Sequence, residues 1–244
     1  MIDTHCHLFK EDYDNLEELL NEMKDKNIKA IVNGCDLKSN IEALDLSKNE
    51  NIYAAIGFHP ENIDDFKEEY LDFIVNNIDK IVAIGEIGLD YHWVSDNKEA
   101  QIKLFEEQLK IAEKYNKPVI VHSRDAIEDT YNMLKKYNVK GTIHAFSGSL
   151  EMANKFIKLG FKLGIGGVIT FKNCRLKDVI KEIDLSNIVL ETDSPYMSPE
   201  PVRGKKNSPL NLQYIVKFIS EVKEISIEKV YEITNKEASL LFDL

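Results

Sequence analysis

Arginine, tryptophan and cysteine are scarce in this chain: three, one and three respectively among 244 residues. The cysteines, Cys6, Cys35 and Cys174, are odd in number and show no C-x-x-C spacing. That excludes a disulfide scaffold or a zinc ribbon and fits a reducing compartment. No apolar run approaches ~18 residues, so no segment reads as a membrane span and no membrane partner is expected. The start shows no basic region followed by a long apolar stretch, since Met1 and Ile2 run straight into Asp3, Thr4 and His5. A secretory leader is therefore not expected. Positive charge is also short, with 31 Lys and Arg against 42 Asp and Glu, a formal net charge of −11. Such a chain does not draw nucleic acid from a distance; a nucleic-acid partner would have to be held locally, by metals or a basic patch. With 43% apolar and 30% charged residues, disorder and repetitive fibres are excluded as well. The expectation is a cytoplasmic, monomeric enzyme of one domain spanning 1–244.

Short apolar, β-branched runs alternate with helical patterns along the whole chain. Strands are predicted at Ile2–His5, Ala30–Asn33, Ile52–Gly57, Ile81–Ile84, Val119–His122, Thr142–His144, Lys162–Ile165 and Ile188–Glu191. Several are apolar without alternation, as strands of a parallel sheet covered on both faces are. Between them, stripes such as Ile102, Phe105, Leu109 and Ala112, or Met152, Phe156 and Leu159, recur at helical spacing. Eight strand–helix units of about 30 residues predict an α/β fold, a (β/α)8 TIM-like barrel. Val230, Ile233 and Leu241 suggest an extra C-terminal helix. An open doubly wound sheet is less favoured, because no G-x-G-x-x-G follows the first strand. The proline-bearing stretch from Ser194 to Pro209 is too short for a linker and reads as an ordered loop over the barrel mouth.

The histidines fall in a pattern. His5, His59, His122 and His144 sit at or just past the ends of predicted strands, and His7 follows His5 by two. In a barrel those ends build the active-site face. On a strand, residues two apart share a side, so His5 and His7 can reach one ion while Cys6 points away as buried filling. Glu86, between Gly85 and Gly88 after the fourth strand, is placed to bridge two cations. Asp193 ends the run of the eighth strand, with Glu191 on the same face as a weaker candidate for orienting a histidine. His5, His7, Glu86, His122, His144 and Asp193 exceed the needs of one four-coordinate ion and suit a binuclear site.

Thr4-His-Cys-His, Gly57-Phe-His-Pro, Gly85-Glu-Ile-Gly-Leu-Asp-Tyr, Val121-His-Ser-Arg-Asp-Ala, His144-Ala-Phe-Ser-Gly, Glu191-Thr-Asp-Ser-Pro-Tyr and Arg203-Gly-Lys-Lys-Asn occur in that order. Together they resemble the TatD family of metal-dependent deoxyribonucleases, in the amidohydrolase superfamily, over essentially the whole chain. The resemblance implies that His5, His7, Glu86 and Asp193 bind one divalent ion, and that Glu86, His122 and His144 bind a second. It departs slightly: cysteine often stands where this chain has Ala145, and alanine where it has Ser194.

The reaction expected is hydrolysis of DNA phosphodiester bonds, as a 3′–5′ exonuclease favouring single strands or ends. Asp193 would hold the proton of the attacking water, and Glu86 would bridge the ions as the second catalytic residue. Histidine-rich ligation favours Zn or Mn, while phosphate chemistry and the resemblance bring in Mg. Of the three arginines, Arg124 and Arg203 fall in the proposed site loops, and arginine grips phosphate in a planar, bidentate way that lysine does not. Arg203 with Lys205 and Lys206 would supply the basic patch. His59 and Tyr91 are further candidates for contacting phosphate or stacking on a base, with His92 behind them. The rival expectation is a superfamily hydrolase of a small amide, lactone or phosphoester. There a modified lysine commonly bridges the metals, and Glu86 stands at that fourth-strand position here.

Overall fold

Eight parallel strands follow one another in chain order around a nearly closed barrel. They are β1 (Ile2–Cys6), β2 (Lys29–Asn33), β3 (Ile52–Ile56), β4 (Ala83–Asp90), β5 (Val119–Arg124), β6 (Gly141–Ile143), β7 (Phe161–Ile165) and β8 (Ile188–Leu190). The structure is a computed structural model and describes residues 1–92 and 96–244. Outside the strands lie helices α1 (Leu16–Asp25), α2 (Leu37–Leu46), α3 (Tyr70–Asn76), α4 (Lys98–Tyr115), α5 (Ile127–Leu134), α6 (Leu150–Lys158) and α7 (Leu176–Glu182). After β8 come α8 (Leu212–Lys223) and α9 (Ile227–Phe242). Among the described residues no helix is long and apolar enough to cross a membrane.

Because both faces of the sheet are buried, alternate strand residues build separate cores. Ala30, Val32, Ala54, Ile56, Val119 and Val121 pack outward with the helices, in a cluster that also holds Phe105, Phe156 and Leu212. The residues between them, Ile31, Ala55, Ala83 and Ile120, form a second small cluster with Phe242 at the end of α9. The last helix thus closes the bottom of the barrel. The caps are those the sequence favours: Asn15, Ser149 and Ser226 each accept from a backbone N–H of the first turn, and Asp36 makes a capping box with Ser39.

Two strands are irregular where the chemistry sits. β1 pairs with β2 through Asp3↔Ala30 and Cys6↔Val32, three residues against two. β4 pairs with β5 through Ile84↔Val119 and Ile87↔Val121, with the same mismatch. A bulge bends the strand and re-aims its side chains, here His5 and Glu86. The fourth strand also runs to Asp90, six residues beyond the predicted end at Ile84, so Glu86 lies inside it rather than after it. The glycines of this strand are what allow β4 to continue. Gly88 has φ +147°, and a Cβ there would come within 2.0 Å of the His122 carbonyl oxygen.

Closure between β1 and the chain beyond β8 relies on backbone and polar contacts rather than a full ladder. Asp193 N donates to His5 O at 2.9 Å and His7 N to Ser194 O at 2.6 Å. Asp3 accepts from both the backbone N and the hydroxyl of Thr192, at 2.9 and 2.6 Å. These bonds lock His5, His7 and Asp193 into one rigid corner of the mouth.

Candidate metal centre

Glu86 is the hub of the barrel mouth. It is buried, with Oε2 3.3 Å from His5 Nε2 and 3.7 Å from His7 Nε2. Its Oε1 lies 3.0 Å from His122 Nδ1, 3.6 Å from His59 Nε2 and 4.0 Å from His144 Nε2. Asp193 Oδ1 sits 3.7 Å from His5 Nε2, 3.5 Å from His7 Nε2 and 3.6 Å from His144 Nε2. Burial pushes the Glu86 carboxyl up, but His5, His59 and His122 outweigh it and hold the group well below the usual carboxylate range. Asp193 is likewise pushed up by burial and brought down, on balance, by His144 and His7.

The partners of the ring nitrogens decide which way each imidazole faces. His7 Nδ1 lies 2.9 Å from the carbonyl oxygen of Asn33. A carbonyl only accepts, so His7 carries its proton on Nδ1 and turns the Nε2 lone pair into the site. His5 Nε2 is 3.1 Å from that same Nε2, an arrangement that needs a proton or a cation between the nitrogens. Donors bound at about 2.0–2.1 Å to one tetrahedral or octahedral ion stand roughly 3.0–3.4 Å apart. The five spacings among His5, His7, Glu86 and Asp193 given above run from 3.1 to 3.7 Å. This donor set fits a divalent cation. His144 Nδ1 is 3.0 Å from Glu191 Oε1, which orients its Nε2 toward Glu86 and Asp193. A Cβ on Gly164 would lie 2.2 Å from Glu191 Oε2, so only glycine leaves room for that carboxylate.

The second candidate donor group lies around His122. His122 Nε2 is held 2.8 Å from Asp90 Oδ2, and its ring stands against His59 with centroids 4.4 Å apart. Among the described residues His122 forms a candidate donor group with His59 and Glu86, and His144 forms one with His5 and Glu86; both imidazoles face the same Glu86 Oε1, at 3.0 and 4.0 Å. Asp90, buried at the end of β4, thus fixes the orientation of the His122 ring. His59, a candidate for phosphate contact or base stacking by sequence, also stands among the donor groups around Glu86. Burial drives its imidazole down to about 3, so it is neutral and able to donate a lone pair.

The remaining candidates lie farther out. Arg124 lines the same cavity, which has a volume of about 660 Å³. Tyr91 stands outside that lining, its hydroxyl 3.1 Å from Asp129 Oδ2 and its ring under Lys98. His92 Nδ1 is 2.7 Å from Asp125 Oδ2. Arg203, Lys205 and Lys206 line a neighbouring groove that shares Glu11, Asp12, Tyr196 and Met197 with the main cavity. There the Arg203 guanidinium lies 4.2 Å from the centre of the Phe171 ring. Buried Asn207 pins the strand-8 loop, with Nδ2 donating to Thr192 O at 2.9 Å and Tyr196 O at 2.7 Å. Sequence reasoning missed Asp90, Asn33 and Asn207 as contributors; the places of Asp90 and Asn207 in the Gly85–Tyr91 and Arg203–Asn207 motifs were the available cues.

A family profile described as TatD related DNase matches residues 2–243. The chain belongs to the TatD family. YabD of Bacillus subtilis, named a metal-dependent hydrolase, is 41% identical over 251 residues, covering 99% of this chain and 98% of its own. The crystal structure of YjjV, a TatD homolog from Escherichia coli, matches with a TM-score of 0.92 at 32% identity, over 100% of this chain and 98% of that one. A TatD family hydrolase from Entamoeba histolytica matches with a TM-score of 0.87 at 26% identity, over 99% and 97%. This TatD-family member is a metal-dependent hydrolase whose His, Glu and Asp clusters at the barrel mouth can bind metal ions.

Proposed function

We propose that this TatD-family hydrolase cleaves the phosphodiester bonds of DNA as a 3′–5′ exonuclease on single strands or frayed ends, acting as a monomer with two divalent ions. The observation that carries the reading is Glu86, whose two oxygens face different histidine groups, His5 and His7 on one side and His59 and His122 on the other. A carboxylate so placed suits a pair of ions. The family description as a DNase supports the choice of substrate.

Ions held there, Mg, Mn or Zn, would supply charge compensation for the phosphoryl oxygens and a more acidic water. The chain's own groups do the rest. Asp193, held low by His144 and His7, is a base at neutral pH, and its partly exposed carboxylate borders the cavity, where it can take a proton from an incoming water. Glu191, Asn33 and Asp90 hold His144, His7 and His122 in their orientations. Arg124 on the cavity wall is placed to meet a phosphate, and Arg203 and Lys205 in the adjoining groove to follow the strand away from the scissile bond. The acidic chain thereby gains the local positive charge that DNA requires.

The test incubates the metal-loaded protein with 5′-end-labelled single strands and resolves the products by length. The expected result is a ladder shortening from the 3′ end, abolished by chelation and restored by divalent ions. Glu86→Ala should lose more activity than His5→Ala or His122→Ala alone. Intact oligonucleotides alongside hydrolysis of small phosphoesters, lactones or amides would overturn the DNA assignment.

A further inference from the structure

Cys35 lies in the loop between β2 and α2, on the wall of the catalytic cavity. Its Sγ is 3.7 Å from Glu86 Oε2, and Sγ, a His7 ring nitrogen and a Glu86 oxygen all fall within 4.8 Å of one another. A thiolate bound at about 2.3 Å and a nitrogen or oxygen at about 2.0–2.1 Å stand roughly 3.5 Å apart on a tetrahedral ion. The sulfur–carboxylate spacing is close to that value.

The loop backbone holds the sulfur in place. Cys35 N donates to Ser39 Oγ at 2.9 Å. Its carbonyl oxygen accepts from His59 N at 2.9 Å and from Asn62 Nδ2 at 3.0 Å. Glu86 N donates to Gly34 O at 3.0 Å, tying the preceding residue to the hub itself. The other two thiols are elsewhere. Cys6 is fully buried with Sγ donating to Ile31 O at 3.4 Å, and Cys174 does not line the cavity.

We propose that Cys35 is a thiolate ligand of the metal centre, forming with His7 and Glu86 a soft donor face that favours zinc-like over magnesium-like ions. The proposal rests on the metal-centre reading of the His5, His7, Glu86 and Asp193 cluster and adds a fifth donor to it. Thiolate and imidazole suit Zn and Co, whereas carboxylate and water suit Mg and Mn. Coordination expels the thiol proton to solvent, so the sulfur joins only ions that bind thiolate well. With a hard ion it remains a protonated thiol donating weakly to Glu86, and the other four donors hold the ion.

The experiment titrates the full-length, metal-free chain with Co(II) and reads two absorption features. Visible d–d bands report that cobalt is bound, and a near-ultraviolet sulfur-to-cobalt charge-transfer band reports a Co–thiolate bond. The expected result is both features in the wild-type protein and only the d–d bands in Cys35→Ser and Cys35→Ala. Zn affinity in both variants should fall at least tenfold relative to Mn affinity. Strong d–d bands without charge transfer in the wild type would overturn the proposal and leave the metal centre standing. A charge-transfer band surviving in both variants would also overturn it, by assigning the sulfur to another cysteine. Absence of both features in the wild type would bring down the metal-centre reading together with the proposal.

Discussion

Replacing Glu191 by Gln measures how much of the metal affinity depends on the orientation of His144. The carboxylate is fully buried, with Oε1 3.0 Å from His144 Nδ1 and accepting the Ala145 N–H at 2.6 Å. Both neighbours of Oε1 are donors, so an oxygen must stay there and the new amide nitrogen must take the place of Oε2. Oε2 has no hydrogen-bond partner in the protein, and the backbone of Gly164 packs against it. The substitution therefore leaves a buried NH2 unpaired, costing about 1–3 kcal/mol of folding stability. It also removes the negative charge that supports the imidazole, and losing such a partner weakens metal binding ~10–100-fold, or about 1.4–2.7 kcal/mol. Chelator competition with Zn or Mn gives the affinity, and urea unfolding of the metal-free protein gives the stability. An affinity within about twofold of wild type, with the protein folded, would refute the orienting role; loss of stability alone would make Glu191 a structural residue.

Phe242→Ala empties the inner cluster under Ile31, Ala55, Ala83 and Ile120. It should cost about 3–5 kcal/mol, lowering Tm by roughly 6–20 °C in a domain of this size, with metal affinity unchanged. Burial pushes the imidazoles of His122 and His144 down, but Asp90 and Glu86 lift the first to about 9, and Glu191 and Asp193 lift the second to about 10. Folded-state values above the ordinary histidine value mean that this stabilisation is full below pH ~6.5 and is lost as pH rises toward 9–10. Urea midpoints of the metal-free protein should fall across that window, and metal affinity should rise over it because bound protons no longer compete. Midpoints that do not fall across the window would count against those charged imidazoles. Exchanging Arg203, Lys205 and Lys206 together for Ala should flatten the salt dependence of single-strand binding by up to about 2 units of slope, while hydrolysis of a small phosphodiester stays as it was. An unchanged slope would remove the groove from the DNA path.

The sequence by itself determined the barrel, its strand order and which histidines and carboxylates gather at its mouth. Those properties are local: an apolar β-branched run is a strand wherever it falls, and His5, His59, His122 and His144 each mark the end of one. What tertiary structure alone decided concerns residues far apart in the chain. The bulges that turn His5 and Glu86 inward exist only because β1 and β4 pair out of step with β2 and β5, and pairing partners are not visible in either strand separately. The reach of β4 to Asp90 depends on Gly88 lying against the His122 carbonyl, a neighbour the local sequence does not show. Asp90 then meets His122 across the β4–β5 pair, a contact no spacing encodes. Arg203 is a basic residue in a site loop by sequence, yet the Phe171 ring, 32 residues earlier, fixes it in a side groove. Cys35 had no role assigned by sequence until the β2–α2 loop folded beside Glu86. Strand propensity is written residue by residue, whereas the aim of a side chain depends on which distant backbone it packs against.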